Sequence, residues 1–168
     1  AKAGVGDPGT GIAAAFLDAD NDGLLDIFVA NYLTFDPTYT LHYSPQVFPG
    51  PLAYQAEFNV FYRNRGDGTF EDVSEAAGIR VPGHRAMAVA AVDYDLDGDQ
   101  DLYISNDSTP KILLVNDGKG HFHDVAPEAG VSQTVTPSSS PSPRACERVR
   151  VTSTDCPSSV STVSRTSN

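Results

Sequence analysis

The sequence predicts an all-β fold made of repeated units, and three observations support this prediction. Residues 61–73 align without gaps with residues 113–125, and the same offset of 52 residues relates the Ala-Gly pairs at 77–78 and 129–130. Short apolar runs alternate with turns rich in Gly and Asp. About four such strands fit into each unit of roughly 50 residues, which is typical of β-propeller blades. Because the chain is too short for a closed ring of about 4–8 blades, we expect a partial propeller.

The expected strands flank two loops that are rich in aspartate. Four largely apolar runs of strand length abut these loops, at residues 13–17, 25–30, 87–92 and 102–105. Two further segments, 73–78 and 125–130, each end in Gly, a residue that commonly ends a helix because it adopts the left-handed conformation. Each of these segments is predicted to form a single helical turn.

Two tandem repeats are expected in residues 1–131, followed by a low-complexity tail in residues 132–168. The aspartate loops are 75 residues apart rather than 52, so the first repeat carries 23 additional residues, expected as an insertion near 31–58. Such a long connection is either functional or an ordered surface loop without a partner. The tail, rich in Ser, Thr, Pro and Arg, is either a linker or the frameshifted remnant of a third repeat. The codons of the gene distinguish these two interpretations.

Charge and hydropathy restrict the classes of partner. The formal net charge is −11, and residues 1–131 contain 20 acidic and 7 basic side chains. Because this charge repels phosphate backbones, no nucleic-acid partner is expected. No apolar run approaches the ~18 residues of a transmembrane helix, so no membrane span is expected. The chain also lacks a recognisable nucleophile motif and a phosphate-binding loop, which argues against an enzyme.

The two aspartate loops, residues 18–26 and 93–101, fit the pattern D-x-D-x-D-G-x-x-D and predict Ca²⁺ sites. Carboxylates at positions 1, 3 and 5 converge when the chain curls around a centre, and Gly at position 6 permits the turn. The position-9 carboxylate and the position-7 carbonyl add hard oxygen ligands, which Ca²⁺ prefers. The predicted ligands are Asp18, Asp20, Asp22, Leu24 and Asp26 in the first loop, and Asp93, Asp95, Asp97, Asp99 and Asp101 in the second.

Two other interpretations of these loops are a turn without an ion and an EF-hand. Asp-Gly turns without an ion are common, but two matching copies favour a metal, since four crowded carboxylates repel one another unless a cation is bound. An EF-hand loop requires a bidentate Glu at position 12. Position 12 is Val29 in the first loop and Ile104 in the second, so the EF-hand is disfavoured.

These loops, together with the turn at residues 64–70 and the stretch 73–78, resemble the FG-GAP/VCBS repeats of α-integrin-like propellers. They are most similar to the extracellular repeat proteins of the cartilage acidic protein type. The resemblance covers about residues 1–131, and Gly120-His121 departs from Gly68-Thr69 of the first copy. It implies that eight side chains are calcium ligands: Asp18, Asp20, Asp22, Asp26, Asp93, Asp95, Asp97 and Asp101.

The resulting hypothesis is a non-catalytic, calcium-binding β-repeat module for protein or glycan interaction and adhesion. Its expected location is extracellular, at the cell surface or periplasmic, because extracellular Ca²⁺ modules commonly bind with Kd values of about 10⁻⁴–10⁻³ M. The alternative is an accessory domain of a secreted carbohydrate-active enzyme. Open sheet edges also predict association of the isolated chain.

Overall fold

The chain folds into two four-stranded antiparallel sheets of the same topology, which the computed structural model describes over residues 2–36 and 50–133. The first sheet contains β1 (Gly11–Leu17), β2 (Asp26–Asn31), β3 (Val60–Asn64) and β4 (Phe70–Asp72). The second contains β5 (Ala86–Val92), β6 (Asp101–Asn106), β7 (Ile112–Asn116) and β8 (Phe122–Asp124). Each strand pairs with its neighbour in sequence, so both sheets are meanders. The predicted all-β class is therefore confirmed.

The two sheets repeat each other down to the local irregularities. Leu17 pairs with Asp26 and Val92 pairs with Asp101, so each aspartate loop joins the first two strands of a sheet. The first strand of each sheet also has a register shift near its start, between Gly11 and Ala13 in β1 and at the corresponding place in β5. The aspartate loops are thus hairpin connections between strands, as expected.

The connection between β2 and β3 contains the additional residues of the first repeat. It runs from 32 to 59, whereas residues 107–111 suffice between β6 and β7. The part of this insertion at residues 37–49, and the part of the predicted tail at 134–168, lie outside the described residues. The described part includes a short 3-10 turn at Pro51–Ala53.

Hydrogen bonds from polar side chains connect the described part of the insertion to the second repeat. The buried guanidinium of Arg85 donates hydrogen bonds to the carbonyls of Pro51 (2.8 Å) and Tyr54 (2.6 Å). The Tyr32 hydroxyl donates to Asp107 Oδ2 at 2.6 Å, and this bond is the main reason that the pKa of Tyr32 is raised. These contacts hold the described part of the insertion against the second repeat.

The core lies between the two sheets. The rings of Phe61 and Phe122 meet edge to face, with centroids 5.6 Å apart and an interplanar angle of 83°. Burial of one such aromatic side chain contributes about 1.5–3 kcal/mol. The buried cluster contains Leu17, Ala19, Phe28, Ala30, Phe61, Ala77, Ile79, Ala86, Leu102, Ile104, Ile112, Leu114 and Phe122.

The predicted helical turns have different outcomes in the two copies. Residues Ala126–Ala129 form α1, which ends at Gly130 with φ 72°, as expected. Residues 73–78 form one hydrogen-bonded turn that ends at Gly78 with φ 76°, so the predicted single turn is present there without a longer helix. The Gly78 N–H reaches only the Glu75 carbonyl, so the Ala77 N–H to Val73 carbonyl bond (2.8 Å) is not followed by a second helical bond. No helix within the described residues is long and apolar enough to cross a membrane.

An Ala-Gly pair precedes each sheet and packs on its fourth strand. The Ala3 carbonyl accepts the Phe70 N–H at 2.8 Å, and the Ala77 carbonyl accepts the Phe122 N–H at 2.9 Å. The glycine that follows Ala77 has φ 76°, and a Cβ atom there would lie 2.5 Å from the Phe122 carbonyl oxygen. Glycine is therefore required at position 78 by both conformation and space.

Candidate metal centre in the aspartate loops

The first aspartate loop brings three carboxylates together. Oxygen atoms of Asp18, Asp20 and Asp22 lie within 4.8 Å of one another. The two carboxylate oxygens of Asp18 accept the N–H groups of Asp22 (3.0 Å) and Gly23 (2.9 Å), so the chain curls around this side chain. Positions 1, 3 and 5 therefore face a common centre in this loop.

The second loop converges with a different third member. Oxygen atoms of Asp93, Asp95 and Asp101 lie within 4.8 Å of one another. The Gly98 N–H donates to Asp93 Oδ2 at 3.2 Å, which reproduces the Gly23 contact of the first loop. The pKa of Asp95 is raised, first by desolvation and then by the negative charges of Asp97 and Asp101. The ionised form of Asp95 is therefore disfavoured in this loop without a cation.

The backbone path explains why both loops converge. Position 4 is left-handed in each, with φ 58° at Asn21 and φ 65° at Leu96. The glycine at position 6 is left-handed too, with φ 84° at Gly23 and φ 99° at Gly98. Asn tolerates this conformation far better than Leu, so the second loop stores strain that the first avoids.

We expect Leu96→Asn to raise the free energy of unfolding by about 0.5–1 kcal/mol, because Asn relieves part of the left-handed penalty of about 1–2 kcal/mol. The Leu96 side chain is 85% exposed, so its removal sacrifices little burial. Urea denaturation measures the change. A loss of stability would contradict the assignment of strain to this position.

The position-9 aspartates anchor the loops. Asp26 accepts the N–H groups of Ala19 (3.3 Å) and Asn64 (2.8 Å), and burial is the main reason that its pKa is raised. Asp101, which is fully buried, accepts the N–H groups of Tyr94 (2.7 Å) and Asn116 (2.9 Å). Each position-9 carboxylate therefore joins its loop to the turn after the third strand, a structural role that the sequence analysis missed.

The remaining predicted ligands have other contacts. Asp97 Oδ1 accepts the Asp99 N–H at 2.9 Å, and Asp97 is outside the converging group, as is Asp26. The Leu24 N–H donates to Asp22 Oδ1 at 2.8 Å. The Asp99 carboxylate turns away from its own loop and accepts a hydrogen bond from Asn21 Nδ2 at 2.6 Å. Ligation stays a prediction for all ten residues, and Leu24, Asp26, Asp97 and Asp99 lie outside the two groups of converging carboxylates.

One carboxylate oxygen in each loop is buried without a hydrogen-bond partner among the described residues. These atoms are Asp20 Oδ1 in the first loop and Asp93 Oδ1 in the second. A buried carboxylate oxygen without a partner is costly, and a cation satisfies it. The clustered oxygen donors, with no sulfur or imidazole among them, fit a hard divalent cation such as Ca²⁺.

Asn116 connects the two loops, although the sequence analysis gave it no role. Its side-chain amide donates to the carbonyls of Ala19 (2.8 Å) and Gln100 (3.2 Å), one in each loop. Its equivalent, Asn64, donates to Leu25 O at 3.0 Å in its own loop. The signal in the sequence was the repetition of this Asn in both Asn-x-Gly turns.

Comparison with known proteins finds a similarity to a repeat family over part of the chain. Residues 52–104 match the family model described as FG-GAP-like repeat. Cartilage acidic protein 1 of Homo sapiens is 37% identical over 71 residues, and its counterparts from Mus musculus and Xenopus tropicalis are 34% and 32% identical over the same length. Each alignment covers 40% of this chain but only 11% of the relative. The resemblance inferred from the loops is confirmed by these matches.

Proposed function

We propose that this chain is an extracellular, non-catalytic calcium-binding module that interacts with protein or glycan partners. The observation that carries the proposal is the pair of buried, unpartnered carboxylate oxygens, Asp20 Oδ1 and Asp93 Oδ1, in two repeated loops. Asp20 is at position 3 of its loop and Asp93 at position 1, so each loop has one unpartnered oxygen, although at a different position. A divalent cation in each loop would satisfy that oxygen.

The residues that would hold the ions differ slightly between the loops. Asp18, Asp20 and Asp22 form the first carboxylate group, and Asp93 and Asp95 form the second together with the buried Asp101. Bound Ca²⁺ would neutralise the repulsion among these carboxylates and stabilise the folded hairpins. The chain's own backbone N–H groups already fix the carboxylates at position 1, so little reorganisation is needed.

The weak affinity of extracellular calcium modules supports the proposed location. Sites of this class commonly have Kd values of about 10⁻⁴–10⁻³ M, so they fill at extracellular calcium concentrations and stay empty in a cytosol. The similarity to cartilage acidic protein 1 is consistent with this location. An accessory role beside a carbohydrate-active enzyme remains the alternative function.

We further propose that the two sheets are blades of a larger β-propeller. Leu17 lies between the two sheets and is fully buried. Its counterpart in the second repeat, Val92, lies on the face of the second sheet that is turned away from the first, and it is 41% exposed. Phe16 on the outer face of the first sheet is 63% exposed, and its counterpart Ala91 packs against the core. We propose that these exposed outer faces pack against further blades.

In this proposal, the described part of the insertion forms the surface that binds a protein or glycan partner. Arg85 fixes its described part, and three apolar side chains there are exposed: Phe35 at 66%, Leu52 at 62% and Phe58 at 46%. Exposed aromatic groups on an ordered connection supply contact area for a protein surface or a sugar ring. This assignment is consistent with a binding module.

Calorimetric titration of the full chain with Ca²⁺ tests the proposal. We expect two ions per chain, and the loss of one ion or at least about a ten-fold weakening of one site in either Asp22→Asn or Asp95→Asn. Both changes keep the acceptor oxygen that binds a backbone N–H, at Leu24 and at Asp97 respectively. Asp67→Asn, an exposed aspartate in a turn outside the loops, is the matched control and should bind like the unaltered chain. Absence of calcium binding at millimolar concentration would contradict the proposal.

A further inference from the structure

Hydrogen bonds join the two aspartate loops directly. The Asp18 N–H donates to Gln100 Oε1 at 3.2 Å, so the first ligand position of one loop is held by the other. Asn21 Nδ2 donates to Asp99 Oδ1 at 2.6 Å, which joins position 4 of the first loop to position 7 of the second. Neither loop can change its path without disturbing the other.

Asn116 adds a buried connection between the same loops. Its amide reaches the Ala19 carbonyl of the first loop, and its backbone N–H donates to the carboxylate of Asp101 in the second. Asn116 is only 3% exposed. Asn116 therefore holds the Asp101 carboxylate through its backbone and the first loop through its side chain.

We infer that the two loops bind cations as a coupled pair, in which occupation of one loop raises the affinity of the other. This inference rests on the proposed calcium function. A cation that orders one loop also orders the hydrogen-bond partners of the other loop. The second cation therefore binds to a loop that is already partly ordered, and its binding costs less conformational entropy. Coupling of this kind is reciprocal between the two sites.

Charge opposes part of this coupling, because the first cation weakens the negative field that attracts the second. The loops together contain nine aspartate side chains, so a first divalent cation leaves the pair strongly anionic. The second ion therefore still enters a negative field.

The second loop fills first in this scheme. It carries five aspartates against four in the first loop. In addition, the Arg63 guanidinium lies 3.9 Å from Asp20 Oδ2, and the equivalent position in the second repeat is Val115. The arginine competes with a cation for the first loop, so the affinity of that loop depends more on help from its neighbour.

Terbium luminescence offers a readout for the second loop alone. Tyr94 occupies position 2 there and can sensitise a bound Tb³⁺ ion, whereas position 2 of the first loop is Ala19. Displacement of Tb³⁺ by Ca²⁺ in the full chain then gives the calcium affinity of the second loop. Tyr94→Phe verifies the source of the signal, which should be lost.

We define the coupling factor from the calcium affinity of the second loop. It is the affinity measured with the first loop intact, divided by the affinity measured when Asp22→Asn disables the first loop. We expect a factor of about five or more, which is the lower end of typical coupling between sites. Asn21→Gly removes the bond to Asp99 but keeps a residue that tolerates φ 58°, and it should lower the factor while the Asp18–Gln100 bond and the Asn116 bridge remain. Leu96→Gly makes the equivalent change in the second loop, where the exposed side chain has no such bond, and should leave the factor unchanged.

The outcomes separate this inference from the proposed function. A coupling factor near one in the unaltered loops overturns the coupling while two calcium sites remain, and a factor that Asn21→Gly leaves unchanged overturns the route through the Asn21–Asp99 bond. A chain that binds neither Tb³⁺ nor Ca²⁺ overturns both.

Discussion

Replacement of Gly78 by Ala is expected to lower the free energy of unfolding by about 3 kcal/mol, which combines about 1–2 kcal/mol for a left-handed Ala with about 1–3 kcal/mol for overpacking. The added Cβ would lie 2.5 Å from the carbonyl oxygen of Phe122. That oxygen cannot retreat easily, because Phe122 is held by its N–H bond to Ala77 in the same contact. Urea denaturation of the full chain measures the loss.

Gly130→Ala is the matched control for this change. Gly130 ends the second copy of the same segment with φ 72°, and a Cβ there meets no atom within 4 Å. Only the conformational penalty of about 1–2 kcal/mol should remain. Equal losses of stability at the two positions would show that the close contact with the Phe122 carbonyl oxygen does not contribute to the effect of Gly78→Ala.

Asp101→Ala is expected to lower the free energy of unfolding by about 4 kcal/mol even in excess chelator, because each of two backbone donors loses its acceptor at about 1–3 kcal/mol. The donors are the N–H groups of Tyr94 and Asn116, and Asp101 is fully buried. Part of this loss is offset by removal of a buried charge. Denaturation in chelator isolates this structural role from any effect of a metal.

Asp97→Ala in the same loop supplies the comparison. Asp97 is exposed and accepts one N–H, that of Asp99, so its replacement should cost less than about 1 kcal/mol in chelator. A similar loss for the two variants would contradict the anchoring role of position 9. The comparison is informative because the sequence pattern alone treats both aspartates as ligands.

The repeat and its period were predictable from the sequence because they depend on local patterns. The offset between residues 61–73 and 113–125 and the apolar runs beside each loop identified the strands, and the structure contains four in each sheet. The left-handed glycine at position 6 also follows from the loop pattern, whereas the left-handed residue at position 4 does not. In the candidate site, the convergence of Asp18, Asp20 and Asp22 agrees with the spacing.

Contacts between distant residues could not be predicted in this way. The bridge from Asn116 to Ala19 spans 97 residues, and the bond from Asn21 to Asp99 spans 78. Their existence depends on how the two sheets pack, which no local periodicity encodes. The anchoring role of Asp101 was hidden for the same reason, since its partner Asn116 lies beyond the next strand.

The thermal unfolding midpoint in about 1–2 mM Ca²⁺, compared with that in excess chelator, tests the central claim most directly, because a ligand that binds only the folded state raises it. We expect a clear rise with Ca²⁺ that is reversed by chelation, is not reproduced by the same concentration of Mg²⁺, and is reduced in the Asp22→Asn and Asp95→Asn variants. An unchanged midpoint in a cooperatively unfolding chain would mean that the aspartate loops are polar turns without a metal function.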